Sequence, residues 1–306
     1  MPPGGTAEVV AIFGPTASGK TAVAEAVADA IGGEVVSCDS MQAYRGMPIL
    51  TSQPARPTWL VGVWPLDHEG SVGEFADLAH AAIDELLSSG RTPVLAGGTG
   101  LYLRAAIGEL DVPPKVAPDV RDRAQRLYDR VGPERAHELL AARDSAAAAA
   151  IHPNDRRRVV RALELLDVGA SLQPAEAQLW SERARHPTVV FGLDVPRTTL
   201  DERIRARAHA MLEAGVVEEV RRALASPISS TASRALGLRE LAELPEAEAL
   251  EMLVSRTQRY AAYQRKWMRR IPGLVSVAAD RPADEVADEL LEVARARQHL
   301  PAGRAR

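Results

Sequence analysis

Eight consecutive residues, Gly14-Pro15-Thr16-Ala17-Ser18-Gly19-Lys20-Thr21, leave this chain few folds to choose from. They satisfy G-x-x-x-x-G-K-[ST] at every fixed position, and the flanks fit as well. Val9 to Phe13 is a short apolar, β-rich run of the kind that forms a buried strand. Thr21 to Ile31 is alanine-rich with apolar residues at helical spacing. A glycine turn between a strand and a helix points backbone N–H groups inward, and the helix N-terminus adds a positive dipole. Lys20 is placed to neutralise a terminal phosphate, and the Thr21 hydroxyl to ligate Mg²⁺. The loop therefore predicts a diphosphate or triphosphate site with Mg²⁺. It names neither ATP nor a reaction.

The same rhythm continues downstream. Glu34 to Cys38 is a second apolar run ending at Asp39, and Pro93 to Ala96 a third, ending at Gly97-Gly98-Thr99-Gly100. Trp59 to Val63 is a candidate short strand. Val72 to Leu87 carries Phe75, Leu78, Ala79, Ala82, Ile83 and Leu86 on one helical face. Strands alternating with helices predict an α/β fold, a P-loop NTPase-like parallel sheet flanked by helices. In such a sheet the carboxyl ends of the strands share one edge, and ligands bind there. Gly14, Asp39 and Thr99 each follow a strand, so they are expected around one crevice.

From about Pro113 the pattern turns helical, with segments 119–131, 133–143, 145–151 and 155–168, and no strand signal until Thr188 to Val195. This predicts a mainly helical insertion domain at 113–185 in a core made of 1–112 and 186–306. Helices are expected again at 199–214, 216–224, 246–270 and 284–297, with a short strand at 275–278.

Composition sets the remaining bounds. With 306 residues, 46% hydrophobic and 25% charged, the chain can bury a substantial core. Cys38 is the only cysteine, which excludes an internal disulfide and suits a reducing compartment. No apolar run reaches the ~20 residues of a membrane span, and the N-terminus lacks signal-peptide character, so a cytoplasmic protein with no membrane partner is expected. The net charge of −4 gives nucleic acid no general attraction. Arginine is nevertheless clustered. Arg157, Arg158 and Arg161 share a helical face and suit phosphate contacts, the alternative being a solvated face with Glu164 as internal partner. Arg256, Tyr260, Tyr263 and Trp267 fall at i, i+4, i+7, i+11, with Arg259, Lys266 and Arg270 on another face. The aromatics are expected in the core and the basic face toward nucleic acid. The histidines show no metal-ligand spacing.

Asp39, at a strand end beside the phosphate loop, is the leading general base or Mg²⁺ ligand. The third strand ends in Gly-Gly-Thr without the acid that nucleotide-hydrolysing P-loop proteins use for their metal. That favours a loop that holds a leaving group.

These pieces together resemble the tRNA dimethylallyltransferase family. The resemblance is carried by GPTASGKT at 14–21, S-x-D-S-x-x-x-Y at Ser37 to Tyr44, GGTGLYL at 97–103 and HPND-R-R with R-A-L-E at 152–164. Further matches are Met211-Leu-Glu-Ala-Gly followed by Glu219-Val220, Ser233 to Gly237, and Thr257-x-Arg-Tyr-Ala with Gln264 and Trp267-x-Arg-Arg. It implies that the P-loop holds dimethylallyl diphosphate and that the prenyl group goes to N6 of the adenosine 3′-adjacent to the anticodon in tRNA. It further implies that Asp39 takes the N6 proton and that Thr16 and Arg234 sit near the diphosphate. Asp39, Ser40, Met41, Gln42, Thr99, Arg157, Arg158, Arg161 and Gln264 would face tRNA, and the enzyme would act as a monomer. The sequence departs from the family pattern at Gln53, Thr58-Trp59, Leu238 and Ala262-Tyr263. Prenyl transfer to free adenine nucleotide, a small-molecule kinase and a non-catalytic tRNA binder are the alternatives.

Overall fold

The computed structural model describes residues 7–109, 113–114, 116–172 and 184–299. The chain divides into two units, Met1–Glu109 with Glu182–Arg306, and Leu110–Ser181, set beside the 113–185 expected for the insertion.

The first unit is built on a five-stranded sheet in the order β2-β3-β1-β4-β5. Its strands are β1 (Val9–Phe13), β2 (Glu34–Ser37), β3 (Pro93–Gly97), β4 (Thr188–Asp194) and β5 (Val275–Ala278). Every pairing is parallel. All residues of β1 and β3 are buried, because helices cover both faces of the sheet, and both sequences are accordingly apolar throughout. Helix α1 (Lys20–Ile31) packs with the last helix, Ala283–His299, on one face, over Val10, Ile12, Phe191 and Leu193. Helices α2 (Val72–Ser88) and α3 (Gly100–Ile107) cover the other. Register fixes where the strands end. Phe13 pairs with Gly97 and with Gly192, and Ser37 with Ala96, so the exits of β1, β2, β3 and β4 fall along one edge.

The second unit holds α4 (Pro118–Val131), α5 (Pro133–Arg143), α6 (Ser145–Ala149) and α7 (Arg156–Asp167). Its own core contains Ala124, Tyr128, Leu140, Ile151, Val159 and Leu163. The first unit is completed by α8 (Arg197–Glu213), α9 (Val216–Leu224), α10 (Leu238–Glu243) and α11 (Glu246–Met268).

Two expectations need correction. Trp59 to Val63 is not a strand. Trp59 makes a single parallel bridge to Val36, and positive φ angles at Leu60 and Gly62 then turn the chain away. Helices α3 and α10 were missing from the sequence reading. Both are under three turns, too short for a periodic signal, and are held by packing of Leu103 and Leu241. Among the described residues no helix is long and apolar enough to cross a membrane.

The exit of β3 must lie flush against that of β2, and Gly97 permits it. A Cβ there would stand 2.5 Å from the Cys38 carbonyl oxygen and 2.8 Å from Cys38 Cβ. Gly97→Ala should therefore force the strands apart and lower unfolding free energy by ~1–3 kcal/mol, the usual penalty of overpacking. The shift of the urea midpoint measures it.

Candidate active site

The P-loop leaves β1 at Gly14, whose N–H donates to Gly97 O over 3.3 Å, so its first residue is tied to the neighbouring strand. The turn closes through Ala17 (φ 64°) and Gly19 (φ 87°). Glycine at 19 adopts this left-handed backbone without a Cβ penalty. Gly19 is also the N-cap of α1, and no side chain caps that helix. The N–H groups of Gly19, Lys20 and Thr21 find no acceptor among the described residues. An uncapped helix N-terminus with free donors and a lysine is an anion site. Pro15 O accepts from Ser18 N–H at 3.2 Å, while the Ser18 hydroxyl, 2% exposed, has no partner among the described residues. That orphaned oxygen lies inside the loop and adds polar capacity to it.

Thr16, Lys20 and Thr21 open onto a cavity of about 300 Å³. Asp39, Ser40, Met41, Gln42, Arg207, Arg234, Tyr260 and Gln264 line it too. Lys20 and Arg207 gather near the carboxylate of Asp39, and Arg234 is a further cation on the lining. Apolar side chains of Leu50, Ile204, Ala208, Met211, Leu236 and Leu253 share the wall with polar groups such as Thr51, Ser52 and Thr257. Burial lowers the Lys20 pKa to about 8. Asp39 opposes that shift and the Arg207 charge adds to it. Burial likewise lowers the Arg207 pKa, against the pull of Asp39. Two desolvated cations side by side are an unfavourable pairing that an incoming anion relieves.

Asp39 arrives here because β2 continues past Ser37. Cys38 N–H donates to Ala96 O at 2.7 Å, which carries the pairing one residue further. The Asp39 carboxylate then accepts the Met41 N–H at 2.9 Å in an Asx turn that fixes its direction. Cys38 is buried, and burial pushes its thiol pKa up, so it offers no nucleophile.

Arg207 escaped the sequence reading. It sits on α8 beside Ile204, Ala208 and Met211, and its guanidinium donates to Thr16 Oγ1. The signal was available, since an arginine at 207 interrupts the apolar stripe Leu200, Ile204, Ala208, Met211. Arg234 lines both the cavity and an adjoining polar depression that also contains Arg239 and Arg256.

Several residues expected to meet tRNA are otherwise engaged. Gln264 is 2% exposed. Its Oε1 accepts Thr16 N–H at 2.8 Å and its Nε2 donates to Gly98 O at 2.8 Å, so both amide atoms hold the two glycine loops together. The Gln42 amide accepts from Ser37 Oγ at 2.9 Å and donates to Ser52 O at 2.8 Å. Thr99 does not line the cavity. Its hydroxyl lies 3.3 Å from the Tyr260 hydroxyl, which does. Burial first, and the Asp39 charge second, push the Tyr260 pKa to about 12, so it stays a neutral phenol. The aromatic stripe of α11 is not core throughout. Tyr263 is 55% exposed and edge-on to Trp267 at 6.4 Å. The helix turns this position to solvent, one residue from the buried Gln264.

In the second unit the arginine face is also partly spent. Arg161 pairs with Glu164 at 2.9 Å and donates to Pro114 O at 2.8 Å. Glu164 is buried and needs that cation, as well as Arg121 at 3.5 Å. Arg158 pairs with Asp155 at 3.7 Å. Arg157 is exposed and without an acidic partner among the described residues.

The chain matches two family models, IPP transferase over residues 42–271 and isopentenyl transferase over 7–58. It is 42% identical over 277 residues to a tRNA dimethylallyltransferase of Salinispora arenicola, covering 86% of this chain and 80% of that protein. The structure is similar to the full-length tRNA isopentenylpyrophosphate transferase of Bacillus halodurans, with a TM-score of 0.68, 31% identity and coverage of 96% and 97%. It shares its fold with a eukaryotic dimethylallyltransferase acting on tRNA, with a TM-score of 0.79, 23% identity and coverage of 98% and 82%.

The pair of hydrogen bonds made by Gln264 is testable. Gln264→Leu leaves a buried N–H and a buried carbonyl unpaired, each worth ~1–3 kcal/mol. Stability should fall by about that much per group. Affinity for inorganic diphosphate should drop ~10-fold or more as the loop loosens. Calorimetric titration beside a denaturant curve separates the two effects.

Proposed function

This chain belongs to the IPP transferase family, and from that premise we propose that it transfers a dimethylallyl group from dimethylallyl diphosphate to N6 of the adenosine 3′-adjacent to the anticodon in tRNA, releasing diphosphate. One observation carries the assignment of the site. A single cavity joins a cationic end, a carboxylate and an apolar wall, the combination that an allylic diphosphate and an attacking amine require.

The α1 N-terminus, Lys20 and Arg207 hold the diphosphate, and Thr16 keeps Arg207 in place through its hydroxyl. Arg234 adds a further positive charge to the lining. The apolar side chains of Leu50, Ile204 and Met211 take the hydrocarbon tail and keep water from the allylic carbon. The N6 lone pair then forms a bond to that carbon as its bond to the diphosphate oxygen breaks. The electron pair leaves with the diphosphate, where Lys20 and Arg207 stabilise the growing charge. Asp39, fixed by the Met41 N–H, accepts the proton from N6.

Mg²⁺ fits this site. In one cavity Thr21 and Asp39 present hard oxygen donors of the kind Mg²⁺ takes. Among the described residues no group of three or more His, Cys, Asp or Glu side chains converges on a point, so an all-protein cage is not the arrangement. Thr21 would hold the ion, which would supply further positive charge to the departing diphosphate.

Labelled dimethylallyl diphosphate incubated with tRNA should label the tRNA and release diphosphate, while ATP in its place should leave the tRNA unchanged. Phosphate transfer from ATP, or no transfer from either donor, would refute the reading. Asp39→Asn should lower kcat by ~10²-fold with donor affinity near wild type. Near-normal turnover at saturating substrates would remove the base from Asp39.

Because Arg158 and Arg161 have acidic partners, Arg157 is the one of the three placed to meet the RNA backbone. Arg157→Ala should weaken tRNA binding and shrink the log–log salt slope by roughly 0.7, the value for a phosphate in single-stranded RNA. Filter binding across a salt series reads both.

A further inference from the structure

The buried carboxylate of Glu219 has no place in the chemistry above. It lies on α9, 3% exposed, and no lysine or arginine pairs with it among the described residues. A carboxylate is costly to bury without compensation. Here the compensation is backbone. Oε2 accepts the Ile49 N–H at 2.9 Å and Oε1 the Leu50 N–H at 2.8 Å, across about 170 residues of sequence.

Those two amides open a single turn. Thr51 N–H donates to Met47 O at 3.0 Å, Ser52 N–H to Ile49 O at 3.1 Å and Gln53 N–H to Pro48 O at 2.9 Å. Glu219 therefore caps the start of the turn as an anion caps a helix N-terminus. Gln42 holds its end, donating to Ser52 O at 2.8 Å and Thr51 O at 3.3 Å. The turn is also part of the cavity, since Leu50, Thr51 and Ser52 line it. Leu50 is buried there, and its Cδ1 would stand only 3.2 Å from a Cβ at Gly237. A small shift of this turn would move Leu50 into or out of the apolar wall.

We infer that Glu219 is a positioning residue for prenyl transfer. Through its two hydrogen bonds it sets the Leu50–Ser52 wall against which donor tail and acceptor are aligned, while taking no part in holding the diphosphate. This rests on the proposed activity, but its physical core does not, so the test has two arms.

Glu219→Gln is nearly isosteric and keeps one acceptor oxygen, but turns an NH₂ donor toward the second amide. Hydrogen exchange at the Ile49 and Leu50 amides should accelerate ~10-fold or more, with exchange in β1 and α1 unchanged. This arm requires no substrate. In the activity arm, kcat for transfer to tRNA should fall ~10-fold or more, while inorganic diphosphate affinity stays within about twofold of wild type. Glu219→Asp, which keeps both acceptors on a shorter stem, should recover part of the lost kcat. Unchanged exchange at 49 and 50 would overturn the inference at its geometric step. Accelerated exchange with wild-type kcat would overturn the positioning role. Diphosphate affinity falling in step with kcat would reduce Glu219 to general structural support. If the wild-type protein transfers no prenyl group at all, the proposed function fails instead, and the exchange arm still reports on the cap.

Discussion

Gln264 makes the hydrogen bonds on which the site's geometry depends. A parallel sheet brings strand exits to one edge, but it does not fix the loops that leave them. The P-loop and the Gly97-Gly98-Thr99 loop leave adjacent strands, and a single amide 248 residues beyond Thr16 holds both. Because the amide is buried, each of its bonds forms in a low-dielectric setting where an unpaired group would be expensive. One helix, α11, thereby sets the phosphate loop, supplies Tyr260 to the cavity and places Leu253 in its apolar wall. The anion site and the carboxylate are held by long-range contacts, not by the local turn alone.

Electrostatics explains how a chain of net charge −4 can hold a diphosphate. Among the described residues many surface arginines are neutralised by neighbouring acids, as in Arg56–Asp29 at 2.8 Å and Arg156–Asp129 at 2.8 Å. Such exposed pairs contribute little to stability, and their fields are screened. Lys20 and Arg207 differ. Both are desolvated, both have lowered pKa values, and between them they face only Asp39. Their field is spent inside the cavity, where low dielectric keeps it strong.

The fold was legible in the sequence because its elements obey simple periodicities. The fully buried strands Val9–Phe13 and Pro93–Gly97 show up as unbroken apolar runs, and the P-loop pins what lies between strand and helix. The convergence of Gly14 and Asp39 followed from parallel topology alone. What was not legible depends on contacts distant in sequence. Arg207 looked like one more arginine in an arginine-rich helix until its place in an apolar stripe was set against the cavity. Gln264 and Gln42 were read only as facing tRNA, because a polar residue beside a motif signals that it matters, but not that its amide also bonds backbone inside the fold. Tyr263 was assigned to the core from spacing, although the stripe it completes is wider than the buried face of its helix. Arg161 carried two readings from the outset, and the structure pairs it with the buried Glu164.

The absent acid on β3 gains meaning from the structure. The other strand beside β1 does end in one, Asp194, but its carboxylate accepts from Arg265 at 3.3 Å and its backbone oxygen from Ala279 N–H at 2.9 Å. The acid beside the loop is Asp39 instead, at the exit of β2, where it shares a cavity with an apolar wall. Hydrolysis of a nucleotide needs an ordered water in line with the terminal phosphate, and the side chains of Leu50, Ile204 and Met211 on this wall offer such a water no hydrogen bonds. An allylic diphosphate needs the opposite: a dry carbon, a firmly held leaving group and a carboxylate within reach of an amine proton. The same glycine loop serves either chemistry, and the apolar wall and the strand that bears the acid decide between them.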